Sequence, residues 1–386
     1  MELKGYRRTD GRVGIRNHVL ILPASICANE TARFTATNIE GSLYLPNQGG
    51  CSLSKRDYKI TMDTLSGIAA NPNVFGVIII GIGCEVIQAQ SLAKEIRKKT
   101  NKPMEVFIIR KEGGMNKTME KAIKAAKSMV LLGNSMKREI ISISDIILGT
   151  ECGGSDPTSG LVANPVVGIV SDILVQHGGT SILSETPEMI GAEHILAGRC
   201  KSRELSEQLL HMVKSYENDF LRAGENPRNG NPTPGNIEGG ITTLEEKSLG
   251  CILKGGESMI DEVLEYSQEP RHKGLVVMDT PGQDVASIAG MAAAGAQIII
   301  FTTGHGTPTG FGIVPVVKVT ANSETGHLMK EHIDFDCSNV IQGSRTMDEA
   351  ANGLYLLMVK MINGQTSKAE NLGFNDMSIS RYCNFA

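Results

Sequence analysis

The sequence predicts an α/β protein made of two three-layer α/β domains with mainly parallel sheets. Three observations predict it: apolar runs of strand length recur along the chain, each ends in a polar turn that is often glycine-rich, and helix-period segments follow most of them. Val77-Ile78-Ile79-Ile80 runs into Gly81-Ile82-Gly83-Cys84-Glu85, and Ile298 to Phe301 runs into Thr302-Thr303-Gly304-His305-Gly306. Strands that are apolar on both faces belong to parallel sheets covered by helices on both sides.

In chain order, the basic loop from Arg7 to Asn17 leads into a first strand, His18 to Pro23. Further strands are expected near Leu43, Val77 and Val106, and helices over Lys55 to Ala70, Val86 to Lys99 and Met115 to Leu131. The polar, turn-forming stretch Gly133 to Arg138 reads as a linker, which divides the chain into domains 1–135 and 136–386. The second domain opens with the apolar run Ile140 to Leu148, read as a buried strand ending in Glu151-Cys152-Gly153-Gly154-Ser155-Asp156. A helix is expected next, with Asn164 as N-cap and Pro165 at its first position. Ser181 to Leu183, Leu275 to Met278 and Ile298 to Phe301 read as further strands, and Ser202 to Ala223 as a long helix. The turn-rich segment 226–236 is either a lid or an oligomer contact.

Composition excludes several classes of function. The 386 residues carry a net charge of −4 with interspersed signs and no tryptophan, so no nucleic-acid footprint is present. No apolar run reaches transmembrane length, and the polar start lacks the pattern of a signal peptide. The expected setting is cytoplasmic, and there eight cysteines without close pairing argue against a disulfide framework.

Chemistry in an open α/β sheet gathers at the carboxyl ends of strands. Cys51, Cys84 and Cys152 all sit in Gly-rich loops at such ends. They are read either as soft ligands for iron or an iron–sulfur cluster, or as small buried residues packed near glycine. Glu85, Glu151, Asp156 and Glu185 are candidate acids or ligands, and each equally suits a helix cap. His305 suits proton transfer, substrate contact or a turn. Lys318, in a strand that reads as buried, calls for an anionic partner such as a substrate carboxylate. Arg12 and Arg16 are candidate carboxylate clamps, or an arm touching a partner subunit. Ser155, Thr303 and Asp279 complete the candidate substrate contacts. Cys27, Cys200, Cys251, Cys337 and Cys383 lack such loops and are read as structural.

Five blocks together resemble the altronate/galactarate dehydratase family. They are Gly5-Tyr6-Arg7-Arg8-x-Asp10-Gly11-Arg12-x-Gly14-x-Arg16-Asn17, Gly81-x-Gly83-Cys84-Glu85, Glu151 to Asp156, Ser184-Glu185-Thr186-Pro187-Glu188-x-x-Gly191-Ala192-Glu193-His194 and Asp279-Thr280-Pro281-Gly282. Within that family the altronate dehydratases are the most similar. The resemblance implies a hydro-lyase that converts a sugar acid, D-altronate first, to a 2-keto-3-deoxy acid, with iron(II) or manganese(II) as cofactor. Single-chain members carry an N-terminal domain of the SAF type before the block that begins here at Gly5. A split enzyme is therefore expected, with this chain as the large subunit, a separate small SAF-domain subunit and a homo-oligomeric assembly. The sulfolactate sulfo-lyase large subunit shares that layout and is the alternative; Cys51 and Cys84 favour the dehydratase. A galactarate-type dehydratase and a noncatalytic scaffold subunit are further readings. Members commonly have Thr-Thr-Gly-Arg-Gly where this chain has Thr302-Thr303-Gly304-His305-Gly306, and imidazole cannot form the bidentate carboxylate clamp of a guanidinium.

Overall fold

In the computed structural model, which describes residues 2–383, two parallel sheets share a common helical layer. The first has the order β4-β3-β5-β6, with β3 at His18–Pro23, β4 at Ser42–Tyr44, β5 at Val74–Gly81 and β6 at Met104–Ile108. Its alternate residues divide between two cores. Leu20 and Leu22 pack with the Lys55–Ala70 helix, while Val19 and Ile21 pack with the Met115–Ser135 helix on the other face.

The second sheet has the order β10-β11-β9-β8-β12-β13-β14 and is parallel throughout. Its strands are β8 (Ile147–Cys152), β9 (Thr180–Leu183), β10 (Ile260–Leu264), β11 (Gly274–Met278), β12 (Ile298–Thr302), β13 (Val316–Thr320) and β14 (Phe335–Asp336). Ile299 and Phe301 face the Asp284–Ala293 helix and the first unit, and Ile298 and Ile300 face the Asn164–Gln176 and Met347–Ile362 helices. Chain order reverses direction across β8, since β9 lies on one side and β12 on the other. Such a switch point opens a crevice at the strand carboxyl ends.

The two units are held in close register. The Lys55–Ala70 and Asp284–Ala293 helices pack so tightly that a Cβ on Gly67 would fall 2.4 Å from the Ala293 carbonyl oxygen. Asn71 Nδ2 closes the same end by donating to Ala292 O and Ala296 O, both at 2.8 Å. Both helices follow strand carboxyl ends and finish together, so the carboxyl edges of the two sheets open the same way. A third small sheet, β2-β1-β7, joins β1 (Leu3–Arg7) and β2 (Val13–Gly14) to β7 (Glu139–Ile141), and Leu3, Val13 and Ile15 pack into the second unit's core.

Several boundaries differ from the sequence expectations. The helix expected to end at Leu131 runs to Ser135, and Gly133 lies inside it where it passes Phe75, 3.2 Å from a would-be Cβ. The apolar run from Ile140 breaks in two where Ser142 and Asp145 form a capping box around a single 3-10 turn. Asn164 is no N-cap: helical turns already begin at Ser159, and its side chain ties Gly250 O to Thr302 Oγ1. That helical stretch, 159–176, is apolar enough to reach membrane-spanning length, yet it is the crossover between β8 and β9 and more than half of it is buried.

Asn73 is a buried tie between the units. Its Oδ1 accepts from the Ile15 amide (2.8 Å) and the Arg16 amide (3.3 Å), and its Nδ2 donates to Gln297 O (2.8 Å) and Ile313 O (3.0 Å). Asn73→Ala is expected to lower the unfolding free energy in urea by about 2–4 kcal/mol, because it leaves buried amides and carbonyls unpaired. The exposed Asn101→Ala control is expected to change it by under about 0.5 kcal/mol. Equal effects of the two would contradict this role.

Candidate active site

At the β8 switch point three side chains meet around one ammonium. Lys254, fully buried, donates from Nζ to Glu185 Oε2 (2.8 Å), Cys152 Sγ (3.0 Å) and Cys251 Sγ (2.7 Å). Cys152 ends β8 and its amide donates to Glu185 Oε2 at 2.9 Å. Glu185 follows β9 in a left-handed conformation at φ 71, a strained choice for a non-glycine residue, and its amide donates to Thr280 Oγ1 at 2.7 Å. Cys251 closes the Leu244–Cys251 helix, and its sulfur lies 3.6 Å from that of Cys152.

Beside this centre Glu151 is buried, with Oε2 accepting from Ser184 Oγ (2.7 Å) and Ser287 Oγ (2.5 Å) and Oε1 without a partner. Asp284 opens the Asp284–Ala293 helix beside it and is half-buried. Its carboxylate crosses so close to the β8 turn that a Cβ on Gly153 would fall 2.3 Å from Oδ2. Only glycine leaves it that room.

The electrostatics separate donor from acceptor. The hydrogen bond from Cys251 and the charge of Lys254 hold the Cys152 thiol well below its usual value, despite burial. Burial, together with the Cys152 thiolate, pushes Glu185 well above the carboxylate range, and burial likewise raises Cys251. Burial alone would lower Lys254, but Cys152, Cys251 and Glu185 outweigh it and keep it charged. Glu151 is raised by burial and by the nearby Glu185 and Asp284 carboxylates. Asp284 rises to about 6 through burial and the Cys152 charge. Glu185 Oε2 accepts from two N–H donors, the Cys152 amide and Lys254 Nζ, and its Oε1 faces Cys152 Sγ at 3.5 Å.

Cys152, Glu185 and Cys251 bring their ligand atoms within 4.8 Å of one another, a donor set that suits a thiophilic cation. The Lys254 ammonium already holds the focus of all three. The residues as arranged therefore fit an ammonium there rather than a metal ion.

The structure scatters the other sequence candidates. Cys51 and Cys84 lie beyond β4 and β5 of the first sheet, apart from Cys152. Asp156 acts as a cap: Oδ1 accepts from Ser159 N (3.0 Å) and Thr158 Oγ1 (2.6 Å), and Oδ2 from Asn322 Nδ2 (2.8 Å). The Ser155 carbonyl accepts from Asn236 Nδ2 at 2.7 Å. Thr303 Oγ1 accepts from the Gly306 and Thr307 amides, and the exposed His305 pairs with Gly235 O at 3.2 Å. Lys318 is buried over the Phe374 ring and donates to Thr309 O, and burial lowers its pKa to about 8. Arg16 does clamp a carboxylate bidentately, at 2.7 and 2.9 Å, but it belongs to Glu370 of this chain. Arg12 pairs with Asp10 and Glu269. Asp279 accepts from Thr186 Oγ1 at 2.6 Å and so braces the Glu185 turn.

Cys251, read as structural from its sequence surroundings, belongs to the centre, and Lys254 and Asp284 had not been singled out. The available signal for Lys254 was a lone charge in Cys251-Ile252-Leu253-Lys254-Gly255-Gly256.

A parallel sheet with a buried acid–base cluster at its switch point defines an enzyme-type site. Two family models match the chain: "D-galactarate dehydratase/Altronate hydrolase, second domain" over residues 5–132, and "D-galactarate/Altronate dehydratase, C-terminal" over residues 143–384. The chain is 38% identical to the (2R)-sulfolactate sulfo-lyase subunit beta of Chromohalobacter salexigens over 99% of both proteins. It is 35% identical to the altronate dehydratase of Escherichia coli over 98% of this chain and 77% of that one. It is 32% identical to the galactarate dehydratase (L-threo-forming) of Escherichia coli over 94% of this chain and 73% of that one. The chain belongs to the D-galactarate/altronate dehydratase family, whose members here are all named lyases or dehydratases.

Asp284 supplies a pH test of this geometry. Its folded pKa, about 6, exceeds the ordinary aspartate value of roughly 3.9. Its contribution to stability is thus fully present below the unfolded value and is lost as pH rises through about 6. Asp284→Asn removes the buried charge, so its Tm relative to the wild type is expected to climb by about 2–4 °C between pH 4 and 7.5. A difference that stays flat with pH would contradict the assignment.

Proposed function

We propose that the chain is the catalytic chain of a lyase acting on a small α-hydroxy acid. It removes the proton alpha to the carboxylate, expels the β-substituent and leaves an enol that ketonises to a 2-keto acid. D-altronate is the first substrate proposed, with a 2-keto-3-deoxy acid and water as products. One observation carries the reading: Cys152 Sγ and Glu185 Oε1 lie 3.5 Å apart at the switch point, where the Cys251 hydrogen bond and Lys254 lower the thiol's pKa and burial raises that of the carboxyl. Paired groups whose environments push their pKa values apart make a matched base and acid.

In this reading the Cys152 thiolate takes the α-proton and Glu185 protonates the departing hydroxyl, which leaves as water. Lys254 balances the negative charge throughout the exchange. Asp284 relays protons beside the centre, and the burial of Cys152, Glu185 and Lys254 keeps bulk water from it. A divalent metal remains part of the proposal, but not within the Lys254 centre.

A second reading is favoured by the end-to-end match to a sulfo-lyase subunit. There the same elimination expels sulfite from (2R)-sulfolactate. That match to a protein named subunit beta also supports a separate small subunit, proposed to be of SAF type. The altronate dehydratases extend beyond the region this chain covers, 77% of their length. Eight unpaired cysteines suit a reducing, cytoplasmic compartment.

The test is turnover of D-altronate, galactarate and (2R)-sulfolactate by the chain co-purified with its small partner. Hydroxide leaves poorly without a proton, whereas sulfite leaves as a stable anion. Glu185→Gln is therefore expected to cut altronate kcat by about 10²–10⁴-fold, the usual range for losing a general acid. Unchanged altronate turnover in that variant would refute the assignment. Turnover of sulfolactate alone would establish the second reading.

A further inference from the structure

The first sheet carries a group of cysteines that the Lys254 centre does not use. β4, β3 and β5 lie side by side and parallel, so their carboxyl ends open on one edge. Cys51, Cys27 and Cys84 follow these strands in turn. Their loops are tied together: Ile26 N donates to Gly49 O and Ile87 N to Gly50 O, both at 2.9 Å. Asn47 Nδ2 reaches Pro23 O (3.2 Å) and Ala24 O (3.0 Å). Gly50, at φ 91, sits so near the Cys27 loop that a Cβ would fall 2.4 Å from Ala24 O.

The thiols share one electrostatic neighbourhood. Burial raises Cys51, and the charges of Cys27, Cys84 and Glu85 add to this, while the Val86 amide donates to its sulfur. Glu85 is buried; its Oε2 accepts from the Gly83 and Cys84 amides, and its Oε1 has no partner. Cys27 and Cys84 are exposed, so the group opens to solvent on one side.

Spacing selects the kind of centre. A single tetrahedral ion draws its sulfurs to about 3.8 Å of one another, from metal–sulfur bonds of about 2.3 Å. Cys152 and Cys251 stand at 3.6 Å, but Cys27, Cys51 and Cys84 do not close to within 4.8 Å as a set. A polynuclear cluster spans such a gap, and soft thiolates are its ligands.

We propose that Cys27, Cys51 and Cys84 hold an iron–sulfur cluster through three thiolates, leaving one iron free of protein ligands at the exposed edge. Ligation releases the thiol protons, and ferrous and ferric iron supplied together with sulfide give the mixed-valence cluster without a further oxidant. The proposal is independent of the elimination chemistry, because its readout is composition rather than turnover.

The full chain is purified anaerobically, reconstituted with ferrous and ferric iron and sulfide, and desalted. The wild type is expected to retain iron and acid-labile sulfide in equal amounts, with absorption near 400 nm. Cys27→Ser and Cys84→Ser change exposed side chains, so native circular dichroism should accompany their loss of at least half the sulfide. Cys200→Ser should retain all of it. Iodoacetamide should modify Cys27 and Cys84 in the apo chain and spare them after reconstitution. Iron without sulfide, equal cluster content in all variants, or unchanged alkylation after reconstitution would each overturn the proposal.

Discussion

A lysine ammonium sealed from water is the constraint on which the catalytic end of the molecule depends. An uncompensated buried ion costs several kcal/mol even after relaxation, so the surroundings of Lys254 must supply charge and hydrogen bonds. They do so from three separate elements: the end of β8, the turn after β9 and the helix that ends at Cys251. The same need accounts for the left-handed backbone at Glu185. That conformation turns the carboxylate back toward Cys152 and Lys254, and Thr280 and Asp279 brace it from the neighbouring strand end.

Placement follows from topology. Because β8 is flanked by β9 on one side and β12 on the other, its carboxyl end is where crossovers leave in opposite directions and where a crevice remains. Helices cover both faces of the sheet, so a charge at that end is shielded from solvent. Burial then pushes Glu151, Glu185 and Asp284 upward, while the hydrogen bond from Cys251 and the ammonium lower the Cys152 thiol among them. Neutral and charged forms thus coexist a few ångströms apart, the condition for moving a proton on and off carbon and oxygen near neutral pH.

Much of the fold was legible because it rests on local pattern. Unbroken apolar runs such as Val77 to Ile80 marked strands buried on both faces, and Ser54 and Ser202 capped helices close to where periodicity placed them. The pattern failed where one side chain overrode it, as Ser142 did in splitting the run from Ile140. Within the site, Cys152 and Glu185 were legible from their strand-end positions. Cys251 and Lys254 were not, because a helix arriving from more than sixty residues beyond Glu185 delivers them, and no local spacing encodes that contact. Asp156 and Arg16 show the converse: both have the right chemistry, but this chain's own Ser159, Asn322 and Glu370 already satisfy it.

The most direct test of the Lys254-centred account is titration of the Cys152 thiolate. Its absorbance near 240 nm is followed with pH as the difference between wild type and Cys152→Ser, and then between Lys254→Met and Lys254→Met/Cys152→Ser, each pair checked for native circular dichroism. The account predicts a thiolate that persists well below the ordinary thiol value of about 8.5 with Lys254 present and a midpoint moved upward without it. Identical titrations in the two backgrounds would contradict it.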